Sequence, residues 1–266
     1  MTASHFTPRL ALPYPDQADP ADVPLDIYNL AIKLDELTAR APKAVTSAAA
    51  VLDVGVLNQV RAGRQLTVAD FTALGLAAPA GLWNLSDLTD ASGNGRALTN
   101  KGAVVFAPGI NGTAATAASF AGSTAQALYI ADTGAADPFR IRTGTIGCWF
   151  RTAKRAVAQE LLTKASSAAG QYCWFLAVSP GNQLNLQIST TGADAPNFTA
   201  ITEVADDRWH WAVATWDGST ARVYLDTVLE TVGSIGIAAP GSGPLNIGGY
   251  GADATTTASG PHYGRV

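Results

Sequence analysis

The chain is poor in charge, cysteine, histidine and glutamate, and each shortage excludes something. Only 14% of its 266 residues are Asp, Glu, Lys or Arg, whereas globular chains carry about 25%. The surface must therefore be built from Ser, Thr, Asn, Gly and Ala, which suits β-structure. Seventeen basic residues against 21 acidic ones leave a net charge of −4, so no positive field exists to hold a polyanion and nucleic-acid binding by charge is excluded. Two cysteines, Cys148 and Cys173, make no disulfide framework and stand in no zinc-ligand spacing. Each precedes a Trp in an apparent strand and reads as a small buried hydrophobe. No apolar run reaches the roughly 18 residues of a membrane span. Residues 1–20 hold no apolar run of signal-peptide length, so a chain made soluble in a cytoplasm is expected.

The same shortages restrict catalysis. Glycoside hydrolysis needs two carboxylates flanking one bond, and the four glutamates, Glu36, Glu160, Glu203 and Glu230, lie in separate segments. A Ser/His/Asp arrangement would have to use His5, His210 or His262. His210, inside Trp209-His-Trp211, reads as a packed, hydrogen-bonded strand residue, and His5 and His262 fall in terminal segments. A protein without enzymatic activity is expected.

What is present divides the chain into three parts. In the first, 1–45, prolines from Pro13 to Pro24 hold an extended strap. A helix is predicted over 23–40, with Asp22 as its cap and Pro24 in its first turn. Along it Ile27, Leu30, Leu34 and Leu37 recur at the spacing of a coiled-coil seam, and these are the candidate oligomerisation residues. The second part, 46–81, reads as a connector containing a brief helix over 68–74, capped by Thr67 and stopped by Gly75. The third, 82–266, is a succession of short strands separated by turns such as Pro180-Gly-Asn182 and Asp217-Gly-Ser-Thr220. Its pattern predicts a mainly β protein, an antiparallel jelly-roll sandwich, and excludes alternating strand–helix architectures.

Trp83-Asn-Leu, Asp90-Ala-Ser-Gly-Asn-Gly95, Ala118-Ser-Phe-Ala-Gly122, Thr145-Ile-Gly-Cys-Trp-Phe150, Leu161-Leu-Thr-Lys164, Arg208-Trp-His-Trp-Ala-Val-Ala-Thr-Trp-Asp-Gly218 and Leu245-Asn-Ile-Gly-Gly249 occur in order. That order resembles the laminin-G-like jelly rolls of the concanavalin A-like lectin/glucanase superfamily. In the pattern of that family, Gly-Arg-Val leads into a last core strand. Gly264-Arg265-Val266 ends the sequence, so the resemblance implies a sandwich lacking its closing strand, with an open edge and a slot of apolar surface. It also implies a possible structural calcium, for which the candidate ligands are Asp90 and Asn94, against a plain turn at the same loop. For a glycan the candidate contacts are Asn197, Phe198, Tyr250 and Asp253, polar and aromatic residues placed in loops.

Arg9-Leu-Ala-Leu-Pro-Tyr-Pro15 followed by Asp19-Pro-Ala-Asp-Val-Pro-Leu-Asp-Ile27 is similar to the N-termini of minor tail proteins of phages infecting actinobacteria. The resemblance implies a virion component at a phage tail tip, with other tail and baseplate proteins as partners and host cell-wall polysaccharide as the target of the distal domain. It also implies a homotrimer, although Ile and Leu at the seam positions by themselves favour dimers. A non-binding architectural tail protein and a bacterial carbohydrate-binding module are the alternatives.

Overall fold

A computed structural model describes residues 5–6, 13–14, 64–73 and 77–266, apart from 167, 169, 194 and 257–259. The chain forms two compact units, Met1–Ser47 and Ala48–Val266. In the first, the described residues are a short antiparallel ladder of β1 (His5–Phe6) and β2 (Pro13–Tyr14). The predicted helix and its seam, Ile27, Leu30, Leu34 and Leu37, lie outside the described residues.

The second unit is a β-sandwich of two antiparallel sheets with seven strands each. Sheet 1 runs in the order β11 (Asn197–Glu203), β10 (Gln183–Ile188), β9 (Trp174–Val178), β8 (Gln159–Lys164), β15 (Leu245–Ile247), β6 (Ala127–Ile130) and β3 (Thr99–Lys101). Sheet 2 runs in the order β14 (Val228–Ser234), β13 (Thr220–Leu225), β12 (Trp209–Trp216), β7 (Gly144–Arg151), β16 (Tyr263–Arg265), β5 (Ala117–Ala121) and β4 (Val105–Ala107). Alternation along the strands builds the core between them. Leu184, Leu186 and Ile188 of β10, Trp174, Leu176 and Val178 of β9, and Ile146, Cys148 and Phe150 of β7 all point inward. Cys148 and Cys173 are both buried and unbridged, and burial pushes the Cys173 thiol up to about 11. Gly248 is required where β15 ends: its φ is +79°, and a Cβ there would lie 2.2 Å from the Phe120 ring.

Three strands of this unit carry little alternation. β3 and β16 have only three residues each. β11 is an edge strand that sends only Phe198 and Ala200 inward, while Ile201 stays 79% exposed. Four strand tryptophans divide between two layers. Trp174 and Trp216 belong to the main core, whereas Trp149 and Trp211, paired across β7 and β12, face outward from sheet 2.

There they are covered by residues from the 46–81 span. Leu66 and Phe71 pack on Trp211, Val213, Tyr224 and Trp149 in a second apolar cluster. α1 (Val68–Ala73) carries Phe71. Its first turn is closed by Asp70, whose carboxylate accepts from the Thr67 N–H at 2.8 Å and the Thr67 hydroxyl at 3.0 Å. Arg64 adds a two-pronged pair to Asp70 at 2.8 and 2.9 Å, and this guanidinium holds the Asp70 carboxyl down at about 2. The Asn84 amide donates to Leu66 O at 3.3 Å, tying the segment to the sandwich.

Candidate functional site

Strand register shows which side chains share the outer face of sheet 1. Asn197, Gln187, Phe175, Thr163, Asn246, Tyr129 and Thr99 are successive cross-strand partners and form one row across all seven strands. Beside it runs a second row, Thr199, Asn185, Ala177 and Glu160. Gly249, Ala252 and Gly260 lie over one part of this face. Thr163 Oγ1 donates to Gly249 O at 2.9 Å, and Asn246 exchanges two hydrogen bonds with the Ala252 backbone.

The part formed by β9, β10 and β11 carries amides beside aromatic rings. Asn185 donates its amide N–H to Asn197 Oδ1 at 2.9 Å, and the Thr199 hydroxyl donates to Asn185 Oδ1 at 3.2 Å. Each amide is thereby held in one orientation while keeping hydrogen-bonding capacity to spare. Phe175 is packed edge-on by Tyr172 at 5.4 Å and by Tyr250 at 5.6 Å. Fixed amides read hydroxyl groups, and aromatic faces take the C–H face of a pyranose.

Glu160 lies at the covered margin of this face. Its Oε2 is buried without a hydrogen-bond partner, and burial pushes its carboxyl up to about 8. A Cβ on Gly260 would come within 2.8 Å of Glu160 Cγ, so the covering segment presses directly on it.

The structure sorts the candidate glycan contacts. Asn197 is exposed and belongs to the amide row, and Tyr250 joins the aromatic group beside it. Phe198 is corrected: strand alternation turns it into the core, where it is 9% exposed. Asp253 is corrected too. Its Oδ1 closes a turn by accepting from the Thr255 and Thr256 N–H groups at 2.8 and 2.7 Å, which lowers its pKa. Its backbone carbonyl accepts from Lys101 of β3, at the sheet edge opposite β11. Asn185, Gln187, Thr199 and Phe175 were missed, although Gln183-Leu-Asn-Leu-Gln-Ile188 carries the signal, amides alternating with aliphatic residues.

The calcium reading for Asp90 and Asn94 does not fit the residues present. Asp90 Oδ1 accepts from the Leu82 N–H at 3.1 Å and the Ser92 N–H at 2.9 Å, and Oδ2 accepts from the Arg96 N–H at 3.1 Å. Burial works against ionisation, but these bonds hold the carboxyl below its ordinary range. A cation there would face backbone N–H dipoles. Asn94 donates its amide to Pro79 O and Ala80 O at 3.1 and 3.2 Å, so the loop is a hydrogen-bonded turn. Among the described residues no group of three or more His, Cys, Asp or Glu is placed to hold a metal.

His210 and His262 are committed to the fold. His210 Nδ1 meets Asp226 at 2.8 Å and Nε2 meets Asp206 at 3.0 Å. Burial opposes the charge, but the two carboxylates win and raise its pKa. With both nitrogens engaged, it has no lone pair to act as a base. His262, expected in a terminal segment, is fully buried against the edge of Phe120, and burial lowers it to about 4.

An apolar sandwich core with an amide-lined outer face defines a lectin-like domain. The family model described as the concanavalin A-like lectin/glucanases superfamily matches residues 122–260, more than half of the chain, and the chain belongs to that family. A search of curated proteins found no match. Among solved structures, domain 4 of AbnA, a GH43 extracellular arabinanase from Geobacillus stearothermophilus, in complex with arabinotriose, is similar at 14% identity and TM-score 0.48, covering 67% of this chain and 83% of that one. The Ruminococcus gnavus IT-sialidase CBM40 is similar at 14% identity and TM-score 0.40, covering 53% and 85%. The receptor binding domain of botulinum neurotoxin type G is similar at 14% identity and TM-score 0.45, covering 64% of this chain and 42% of that one. Among the described residues no helix is long and apolar enough to cross a membrane.

Proposed function

We propose that this chain is a non-catalytic glycan-binding protein whose ligand lies on the outer face of sheet 1, across β9, β10 and β11. The observation that carries this reading is the row Asn197, Gln187 and Phe175 with Asn185 beside it, oriented amides next to a ring cluster that includes Tyr172 and Tyr250. The proposal extends to setting: the protein is a virion component at the tail tip of a phage, presenting this face to host cell-wall polysaccharide. That part is supported by the similarity of residues 9–27 to minor tail proteins. The trimer, joined through Ile27, Leu30, Leu34 and Leu37 and by contacts to other tail proteins, belongs to the same proposal.

The test is binding of the full chain to isolated host cell-wall polysaccharide, with the Asn185→Ala/Asn197→Ala double variant and Tyr250→Ala beside it. Each variant is expected to weaken binding about tenfold or more, roughly 1.4 kcal/mol, with the thermal midpoint little changed. Wild-type chain that binds no host polysaccharide overturns the glycan reading. Absence of the protein from purified virions overturns the tail reading, and a monomer in sedimentation overturns the trimer.

A further inference from the structure

A pocket of about 490 Å³ opens on sheet 2 and shares no lining residue with the apolar cover. Ser119 of β5, Arg265 of β16 and Arg151 of β7 are successive cross-strand partners in its wall. Their neighbours Phe120 and Phe150 belong to the core, so strand alternation turns this row outward. Lys154, Asp207 and Tyr263 extend the wall. Gly264 lets β16 come close enough to set one arginine against the other: its φ is +150°, and a Cβ there would lie 2.0 Å from Arg151 O.

The pocket is braced from beneath by a buried polar pair, Thr152 and Gln159. Thr152 Oγ1 donates to Tyr263 O at 2.6 Å and accepts from the Lys154 N–H at 3.1 Å, while Thr152 O accepts from the Asp207 N–H at 3.0 Å. Gln159 donates to Lys154 O at 2.8 Å and accepts from the Tyr263 N–H at 3.2 Å. Three wall residues are thus held by their backbones before any ligand arrives, which lowers the cost of binding. Their charges do not balance. Arg151 makes a two-pronged pair with Asp207, both bonds 2.8 Å, and these bonds, helped by the charges of Arg151 and Arg265, hold the Asp207 carboxyl below its ordinary range. Arg265 spends one N–H on Pro108 O at 2.8 Å, and the Lys154 ammonium stands 5.3 Å from the centre of the Tyr263 ring. Among the described residues neither of these two cations has a carboxylate partner. Like charges directly opposed across two strands are destabilising, so three cations around one carboxylate leave an excess of two positive charges for something else to meet.

We propose that this pocket is a binding site for a phosphate group, held by Arg151, Arg265 and Lys154. A phosphate carries close to two negative charges at neutral pH and offers three strong acceptor oxygens, which matches the excess charge and the guanidinium and ammonium donors around it. A carboxylate matches only half of that charge. Asp207 sets the selectivity by cancelling one cation and repelling the ligand, so that a weakly charged group gains little. The site is separate from the amide face of sheet 1 and does not depend on a glycan being bound there.

The test is calorimetric titration of the full chain with inorganic phosphate, glucose 1-phosphate and acetate at low salt. Both phosphates are expected to bind, and the tighter of the two names the source, a free ion or an ester, either of which bears the proposal out. Lys154→Gln with Arg265→Gln should weaken phosphate binding about tenfold or more. Asp207→Asn should strengthen it about threefold or more, since a negative charge beside the ligand is removed. Asn tolerates the φ of 65° at that position, and a gain in affinity cannot come from a damaged fold. Wild-type chain that binds neither phosphate at about 10 mM overturns the proposal. Binding unchanged in the double variant, or unchanged or weakened in Asp207→Asn, overturns it as well. Acetate bound as tightly as phosphate overturns the selection for a doubly charged group.

Discussion

The two sheets have matching apolar inner faces, and their outer faces differ. On sheet 2, Trp149, Trp211, Val213 and Tyr224 look outward and pack beneath Leu66 and Phe71, Trp149 half-buried and the other three buried. On the β9–β11 part of sheet 1, the corresponding positions are Asn185, Gln187, Asn197 and Thr199, with no segment laid over Asn197 or Thr199, both exposed. An outer face rich in apolar side chains requires a cover, because exposed area costs roughly 25 cal/mol per Å². An amide-rich face has no such need, and here it leaves Asn197 and Thr199 open to solvent while Asn185 beneath them is 5% exposed. In the proposed reading, recognition and structural covering fall on opposite sides of one sandwich.

The largest expected effect comes from stripping the cover. Leu66→Ala with Phe71→Ala should destabilise the fold by about 3–5 kcal/mol, since truncation uncovers two tryptophans and leaves a cavity. Urea unfolding checks this, and a loss below about 1 kcal/mol would make the covering layer incidental.

Next is the buried acid on sheet 1. The folded-state pKa of Glu160, about 8, lies above its ordinary value of 4.5. Its stabilising contribution is complete below pH 4.5 and is lost as the pH rises toward 8. Glu160→Gln should remove this slope and leave the variant more stable than wild type at pH 8, by on the order of a few kcal/mol, with no gain at pH 4. Urea midpoints at the two pH values decide it. His262 has the opposite sign: its contribution is present above pH 6.5 and is lost as the pH falls toward about 4.

A smaller effect is expected at the β13–β14 hairpin of the covered sheet. Asp226 and Thr227 both have positive φ, 48° and 76°, and β-branched Thr is strained there. Thr227→Gly should stabilise the protein by about 1 kcal/mol, visible as a raised thermal midpoint. The smallest effect closes the comparison. Asn185→Ala with Asn197→Ala should move stability by less than about 1 kcal/mol, because the hydrogen bonds removed are modest in net worth. The same double change should lose glycan binding. A large stability loss here would show the amide row to be structural.

Much of the sandwich was legible in the chain. β7 was legible by alternation, since Ile146, Cys148 and Phe150 recur at period two. β11 was not, because an edge strand buries only Phe198 and Ala200 and so has little alternation to read. Of the candidate contacts, Asn197 and Tyr250 reach the proposed face. Phe198 and Asp253 do not, one because of its strand phase and the other because its carboxylate closes a turn.

By itself the sequence determined the two-sheet class, through short alternating runs, scarce charge and regular turn signals, all of which are local properties. Only the tertiary structure decided which outer face is covered, which amides line up across β10 and β11, and why Asp90 holds a turn together. Those outcomes depend on strand order and register, which bring together residues far apart in the chain, such as Leu66 with Trp211 and Asn246 with Thr163. No local pattern encodes such pairings.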